Sequence, residues 1–204
     1  LRDLTKRYMK LLLLLLLPIL SLAQTNVIRI NSGGPAQNYS GEMWTADQYF
    51  TGGTVYTTSS AIANTTQDQI YQSERYGNVT YKIPVVTGKY RVNLHFAEIY
   101  WTAVGTRTFS VTVETQFNQN NIDLFQTYGA NNAAVIVADN IEVSDGFIDI
   151  TLTTVKDNAK ISGISVDKYD VVLPPDPGDT LDIPCEVCVT QVGPKGDNGD
   201  KGDT

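Results

Sequence analysis

Histidine and cysteine are almost missing from this chain of 204 residues, which holds one of the first and two of the second. Chemistry that leans on several imidazoles or on clustered thiolates therefore has no raw material, and the sequence calls for no metal and no cofactor. Lysine and arginine form no cluster after the first ten residues, and the formal charge is -7. That balance offers no electrostatic footprint for a phosphate backbone, which excludes nucleic acid as a partner. Long apolar runs are missing too. The longest, Leu11–Leu17, falls short of the roughly 18 residues a spanning helix needs, so no membrane span is expected in the mature chain. Helical periodicity is nearly absent. What remains is a chain 42% hydrophobic and 18% charged with eleven tyrosines, the texture of one ordinary globular domain rich in aromatic side chains.

The first segment reads as an address. Lys6, Arg7 and Lys10 precede the leucine run, Pro18 breaks it, and Ser21-Leu22-Ala23 ahead of Gln24 supplies the small residues at which a signal peptidase cuts. Residues 1–23 are thus expected to be a signal peptide, and the mature protein to be secreted or held at the cell surface. Met9-Lys10 makes a more typical leader start than Leu1 does.

From Val27 to Val166 short alternating runs are separated by Gly, Asn, Asp and Thr, as in an antiparallel sandwich. Tyr90, Val92, Leu94 and Phe96 fall on one face of a strand while Arg91, Asn93 and His95 fall on the other. Phe109, Val111 and Val113 repeat the pattern. Ile148, Ile150 and Leu152 do so again after an Asp145-Gly146 turn. Ile161, Ile164 and Val166 are out of step, which a bulge at Gly163 would absorb. The expected fold is all-β: an antiparallel two-sheet β-sandwich of jelly-roll type over residues 24–170.

After Tyr169 the texture changes. Pro174-Pro175-Asp176-Pro177-Gly178-Asp179 is too rich in proline for a central strand, so residues 171–192 read as a stiff linker. Residues 193–204 carry glycine at every third place, the period of collagen, in which only glycine fits the crowded axis of three wound chains. Four triplets are too few to fold alone. If the repeat continues, a homotrimer is the expected partner state. Cys185 and Cys188 would then lock chains by interchain disulfides, an internal bridge being the alternative. Asn38-Tyr39-Ser40, Asn64-Thr65-Thr66 and Asn78-Val79-Thr80 are glycosylation sequons, with meaning only in a host that glycosylates.

Five segments in fixed order carry a family resemblance: Arg29-Ile30-Asn31-Ser32-Gly33-Gly34, Trp44-Thr45-Ala46-Asp47-Gln48-Tyr49-Phe50, Tyr71-Gln72-Ser73-Glu74-Arg75-Tyr76, His95-Phe96-Ala97-Glu98-Ile99-Tyr100-Trp101 and Asp157-Asn158-Ala159-Lys160-Ile161-Ser162. Together they resemble malectin and the malectin-like carbohydrate-binding modules over about Val27 to Val166. The resemblance implies non-catalytic binding of a glucose-type di- or oligosaccharide. It points to Tyr76, Tyr100, Trp101 and Asp157 as contacts, and more loosely to Tyr56, the one tyrosine in the loop ahead of Tyr71. The chemistry fits: a pyranose offers a patch of axial C–H groups to aromatic platforms and a rim of hydroxyls to polar groups. Trp101 stands where animal malectin has phenylalanine, and Asn158-Ala159 where Asn-Pro is common, so stacking is retained while sugar preference is open.

Each choice has an ordinary rival. On a continuing strand Tyr100 and Trp101 would face opposite sides, but Thr102, Ala103 and Gly105 are expected to end the strand and bring both rings to the loop surface. Tyr76 serves a core as well as a site, and Asp157 starts a turn as readily as it binds a sugar. Glu74 and Arg75 suit either an ion pair or a part of the site and are read as structural, and neither His95 nor Asn93 is a site candidate. Two other functions compete. A glycoside hydrolase would pair two of Asp47, Glu74, Glu98 and Asp157 across a bond, yet no motif pairs them. An adhesin or structural protein binding protein partners would bury the aromatic rings instead.

Overall fold

The computed structural model describes residues 22–39 and 41–171. Cys185 and Cys188, the glycine repeat, all of the expected linker but Val171, which ends the last strand, and all but the last two residues of the expected signal peptide lie outside the described residues. Among the described residues twelve strands follow in order: β1 Leu22–Asn31, β2 Gln37–Tyr39, β3 Glu42–Ala46, β4 Phe50–Thr57, β5 Ser73–Pro84, β6 Gly88–Phe96, β7 Thr108–Val113, β8 Phe117–Ile122, β9 Ala134–Val143, β10 Phe147–Lys156, β11 Lys160–Ile161 and β12 Gly163–Val171. Two short helices interrupt them, α1 Asp68–Tyr71 and α2 Leu124–Tyr128.

The strands form two sheets, one in the order β2-β3-β1-β12-β6-β9 and the other β11-β5-β10-β7-β8 with β4 also paired to β5. Alternation does what period two requires. Tyr90, Val92, Leu94 and Phe96 of β6 are fully buried, as are Phe109, Val111 and Val113 of β7 and Ile148, Ile150 and Leu152 of β10, and these side chains make the shared core. Pairing is antiparallel apart from a short parallel contact of β1 with β3, through Ile30–Thr45 and Asn31–Ala46. This is one departure from the expected all-antiparallel sheets, and it arises because the β2–β3 hairpin folds back beside β1.

A second departure lies at Gly163. The phase change between Ile161 and Ile164 is no bulge: β11 pairs with β5 in one sheet, and β12 pairs with β1 and β6 in the other. The chain crosses between sheets at Ser162, whose N–H donates to the His95 carbonyl and whose own carbonyl accepts from Ser32 N–H. Glycine follows for a steric reason. A Cβ on Gly163 would stand 3.0 Å from both Ile70 and the Trp44 ring, which close over this strand.

Those two residues belong to a smaller apolar cluster of Trp44, Ile62, Ile70, Tyr71, Ala97 and Ile99, which covers the non-core face of β6. His95 is expected to stand on that face, and it lies edge-on to Trp44 at 5.1 Å and to Tyr71 at 5.9 Å. Its Nδ1 lies 2.9 Å from the Tyr71 hydroxyl and its Nε2 3.1 Å from Ser165 Oγ, so the ring is hydrogen-bonded at both nitrogens. Burial, helped by the nearby Arg29 charge, lowers the imidazole from 6.5 to about 4. The unfolded chain therefore takes up this proton first. Stability from this group is complete above pH 6.5 and drains away as pH falls towards 4. With part of the ring edge still wet, the loss should be on the order of 2 kcal/mol. Urea unfolding at pH 7 and pH 4 should show that extra loss in the wild type and not in His95→Gln, and equal losses in both would refute it.

Candidate functional site

At one end of the sandwich strands β4 and β5 meet the β6–β7 and β10–β11 loops around an open cavity of about 220 Å³. Tyr56, Glu74, Tyr76, Tyr100, Trp101, Arg107, Asp157 and Asn158 line it. All five residues singled out in the sequence thus stand together, with three neighbours that were not among them.

Tyr56 is the half-buried residue of an otherwise exposed β4, and it leans on the Trp44 cluster while presenting its ring to the cavity. It lies opposite Glu74, as Thr54 lies opposite Tyr76, so pairing with β5 sets both positions. Glu74 and Tyr76, two apart on β5, reach the cavity, whereas Arg75 between them turns to Asp47. Alternation sends the two side chains to different partners, Arg75 to Asp47 and Glu74 to Lys160 and Arg107.

Tyr100 and Trp101 follow the end of β6, and both rings reach the cavity, Tyr100 being the more exposed. One carboxylate oxygen of the buried Glu98, Oε1, accepts the backbone N–H groups of both residues at 3.0 Å, which pins the turn that presents them. The rings pack edge to face, Tyr56 against Tyr100 at 5.3 Å and Tyr100 against Trp101 at 4.9 Å. The far side of the same loop is tied to α2, since Gly105 N–H donates to Asp123 Oδ2 at 2.6 Å. Asp123 also caps α2 by accepting from Gln126 N–H.

Asp157 has a positive φ of 58°, which aspartate tolerates better than most residues and which aims its carboxylate back across the cavity. Trp101 Nε1 donates to its Oδ2 at 2.9 Å, and Arg107 Nε donates to the same oxygen at 3.2 Å. Burial pushes this carboxyl up, but the Trp101 bond, the Asn158 backbone N–H and Arg107 together hold it below the ordinary aspartate value. Asp157 is therefore an acceptor at neutral pH.

Beneath the cavity lie buried charges. Lys160, fully buried, sits against Glu74 Oε2 and the Ala97 carbonyl, and Arg107 Nη1 is 3.6 Å from Glu74 Oε1 and 3.4 Å from Glu98 Oε2. Burial lowers the Lys160 ammonium from its usual value, with Glu74 and Glu98 pulling the other way. Of the four carboxylates a hydrolase could draw on, only Glu74 and Asp157 face the cavity. Asp47 is bound up with Arg75 and Tyr81, and Glu98 with the Tyr100–Trp101 turn. In a second, more open hollow of about 350 Å³ beside Tyr39, Glu42, Thr66 and Gln67, Tyr39 donates to Gln69, Gln67 donates to Glu42, and Glu42 pairs with Arg29. Among the described residues no group of three or more His, Cys, Asp or Glu is arranged to hold a metal, and no helix is long and apolar enough to cross a membrane.

A family model for the malectin domain matches residues 26–170, the stretch that carries both sheets and the cavity. The chain belongs to the malectin family. Among curated proteins this malectin domain is 34% identical over 150 residues to the kinesin-like protein KIN-14Q of Arabidopsis thaliana, and 32% identical over 151 residues to KIN-14R of the same plant. Each match covers 72% of this chain but only 12% and 14% of the relative, so the shared part is one domain of much longer proteins. Among solved structures, the ANXUR2 extracellular domain of Arabidopsis thaliana superposes with a TM-score of 0.64 at 18% identity, over 73% of this chain and 50% of that one. A β-glucuronidase of Bacteroides uniformis superposes with a TM-score of 0.60 at 19% identity, over 72% and 18%. At such identities the structural likeness speaks for the fold.

Sequence reasoning missed Arg107, Asn158 and Glu74 as cavity residues. Asn158 adjoined a chosen residue, and Glu74 was read as structural. Arg107, in Gly105-Thr106-Arg107-Thr108, carries no local signal that separates it from a solvated surface arginine.

Proposed function

We propose that this malectin domain binds a glucose-type di- or oligosaccharide without cleaving it, through Tyr56, Tyr76, Tyr100, Trp101 and Asp157. The observation that carries the reading is the convergence of four aromatic rings and a charged carboxylate on one open cavity. The rings offer stacking surfaces to axial C–H groups, and Asp157 and Asn158 offer an acceptor and a donor to hydroxyls. The cavity suits about one sugar ring, with further units leaving through its open side. Asp157 held in its charged form and Glu74 committed to Lys160 leave no evident acid and base pair, which supports binding without hydrolysis.

In this reading residues 1–23 export the protein, residues 24–170 form the sugar-binding domain, residues 171–192 are a linker, and residues 193–204 begin a collagen-like stalk that gathers three domains. The leader and the stalk rest on sequence alone. An extracellular setting agrees with the ANXUR2 extracellular domain among the structural neighbours.

Trp101→Ala should weaken calorimetric binding of a glucose disaccharide by about 1 to 2 kcal/mol, roughly tenfold, since it removes a platform and one of the two donors that fix Asp157 Oδ2. Thermal unfolding should stay near the wild type. Unchanged titration heats in a folded variant would remove Trp101 from the site, and release of reducing sugar by the wild type would end the non-catalytic reading.

A further inference from the structure

Of the two carboxylates that face the cavity, Glu74 has 1% of its side chain exposed and Asp157 26%, so a ligand meets its acceptor at Asp157. An aspartate offers two oxygens with about four lone-pair positions between them. That is enough to accept two neighbouring sugar hydroxyls, one on each oxygen, in the forked manner in which a carboxylate takes a guanidinium. Here one oxygen is already filled. Trp101 Nε1 donates to Oδ2 at 2.9 Å and Arg107 Nε donates to it at 3.2 Å. Oδ1 meets Asn158 Nδ2 at 3.3 Å, longer than an ordinary N–H···O bond, and a hydroxyl can supplant so weak a contact.

Neither donor on Oδ2 leaves readily. Arg107 is buried between the Glu74 and Glu98 carboxylates. The indole N–H donates and cannot accept, so a hydroxyl that displaced it would exchange one hydrogen bond for another and strand the indole donor against the ligand. The ring is also set by its own loop, since Glu98 Oε1 holds the Trp101 backbone N–H and Tyr100 packs against the indole at 4.9 Å. The Trp101–Asp157 bond thus joins the β6–β7 and β10–β11 loops before any sugar arrives.

We propose that the Trp101 indole N–H is a specificity-determining group: by occupying Asp157 Oδ2 it leaves one carboxylate oxygen to the ligand, so the cavity reads a single hydroxyl at Asp157 instead of two neighbouring ones. The inference rests on the sugar-binding reading and adds what the cavity does not read. Its ligands are glucose-type sugars alike at the hydroxyl that meets Oδ1 and able to vary at the next carbon. Stacking and selection by Trp101 are separable, because phenylalanine keeps a ring and has no donor. In Trp101→Phe, Oδ2 retains Arg107 Nε and regains one lone pair, to which a second hydroxyl can donate.

The test uses the full chain. Calorimetry across α- and β-linked glucose disaccharides selects the best binder, and its monodeoxy analogues are then titrated into the wild type and into Trp101→Phe. Loss of one hydroxyl, the neighbour of the one on Oδ1, should cost the variant about fivefold more than it costs the wild type, the worth of one added hydrogen bond. Every other analogue should differ between the two proteins by one common factor. A crystal structure of the wild type with the parent disaccharide should keep Trp101 Nε1 on Oδ2 and place a single hydroxyl on Oδ1. Deoxy profiles related by one common factor throughout overturn the proposal. A complex in which a hydroxyl sits on Oδ2 and the indole has turned away overturns it too, and that complex decides alone if Trp101→Phe fails to fold. If no disaccharide binds the wild type, the sugar reading of the cavity falls and this inference with it.

Discussion

Replacing Asp47 by alanine should cost about 3 to 5 kcal/mol of folding stability, because it strands a buried cation and two further donors at once. Asp47 Oδ2 accepts from Gly33 N–H at 2.7 Å and from Arg75 Nε at 2.6 Å, and its Oδ1 accepts the Tyr81 hydroxyl at 3.0 Å. Both charged side chains are more than nine-tenths buried. The Arg75 guanidinium lies 3.3 Å from the centre of the Phe50 ring, a stack that holds it in place but accepts no hydrogen bond. One carboxylate therefore ties the turn after β1 to β5 and to the loop ahead of β4. Urea unfolding reads the effect as a fall in midpoint at constant slope. A change below about 1 kcal/mol would mean that water replaces the carboxylate and that the network contributes little.

Lys160→Ala should be as damaging, for a related reason with a different remedy. The ammonium is completely buried against Glu74, with Glu98 and Arg107 close by, so its removal leaves a carboxylate uncompensated below the cavity at about 3 to 5 kcal/mol. The pair as a whole is worth far less than either half suggests. Taking two charges out of water offsets much of their attraction, and Lys160→Met combined with Glu74→Gln should recover most of the loss. Double-mutant-cycle unfolding measures this directly. A double variant as unstable as Lys160→Ala would show that Lys160 acts through packing or through the Ala97 carbonyl rather than through Glu74.

The two ion pairs differ in what they serve. The Asp47 network stands away from the cavity and fastens strands, whereas the Lys160 group underlies Glu74, Arg107 and the Glu98-held turn that presents Tyr100 and Trp101. A folded variant of the second kind should also bind sugar less well, and one of the first kind should not.

The core was legible in the sequence because period two acts residue by residue: an apolar side chain at every second place of β6, β7 and β10 has one way to leave water. The end of β6 was legible for the same local reason, the run of Thr102, Ala103 and Gly105 after two aromatic residues. The ordered motifs also brought Tyr56, Tyr76, Tyr100, Trp101 and Asp157 into view. What no local pattern carries is the assembly of the cavity, whose residues run from Tyr56 to Asn158 and come from two strands and from two loops far apart in sequence. Gly163 shows the limit. From sequence its phase change looked like a bulge within one strand, and only the two sets of partners reveal a crossing between sheets. Lys160 and Arg107 show it again. Alone, each is a long cation that belongs in water, and both are buried here because Glu74, Glu98 and Asp157, supplied by a strand and two loops, converge on them. Local alternation thus determined which faces are dry, and only the tertiary structure decided which charges could afford to join them, because a charge leaves water only where its partners are already in place.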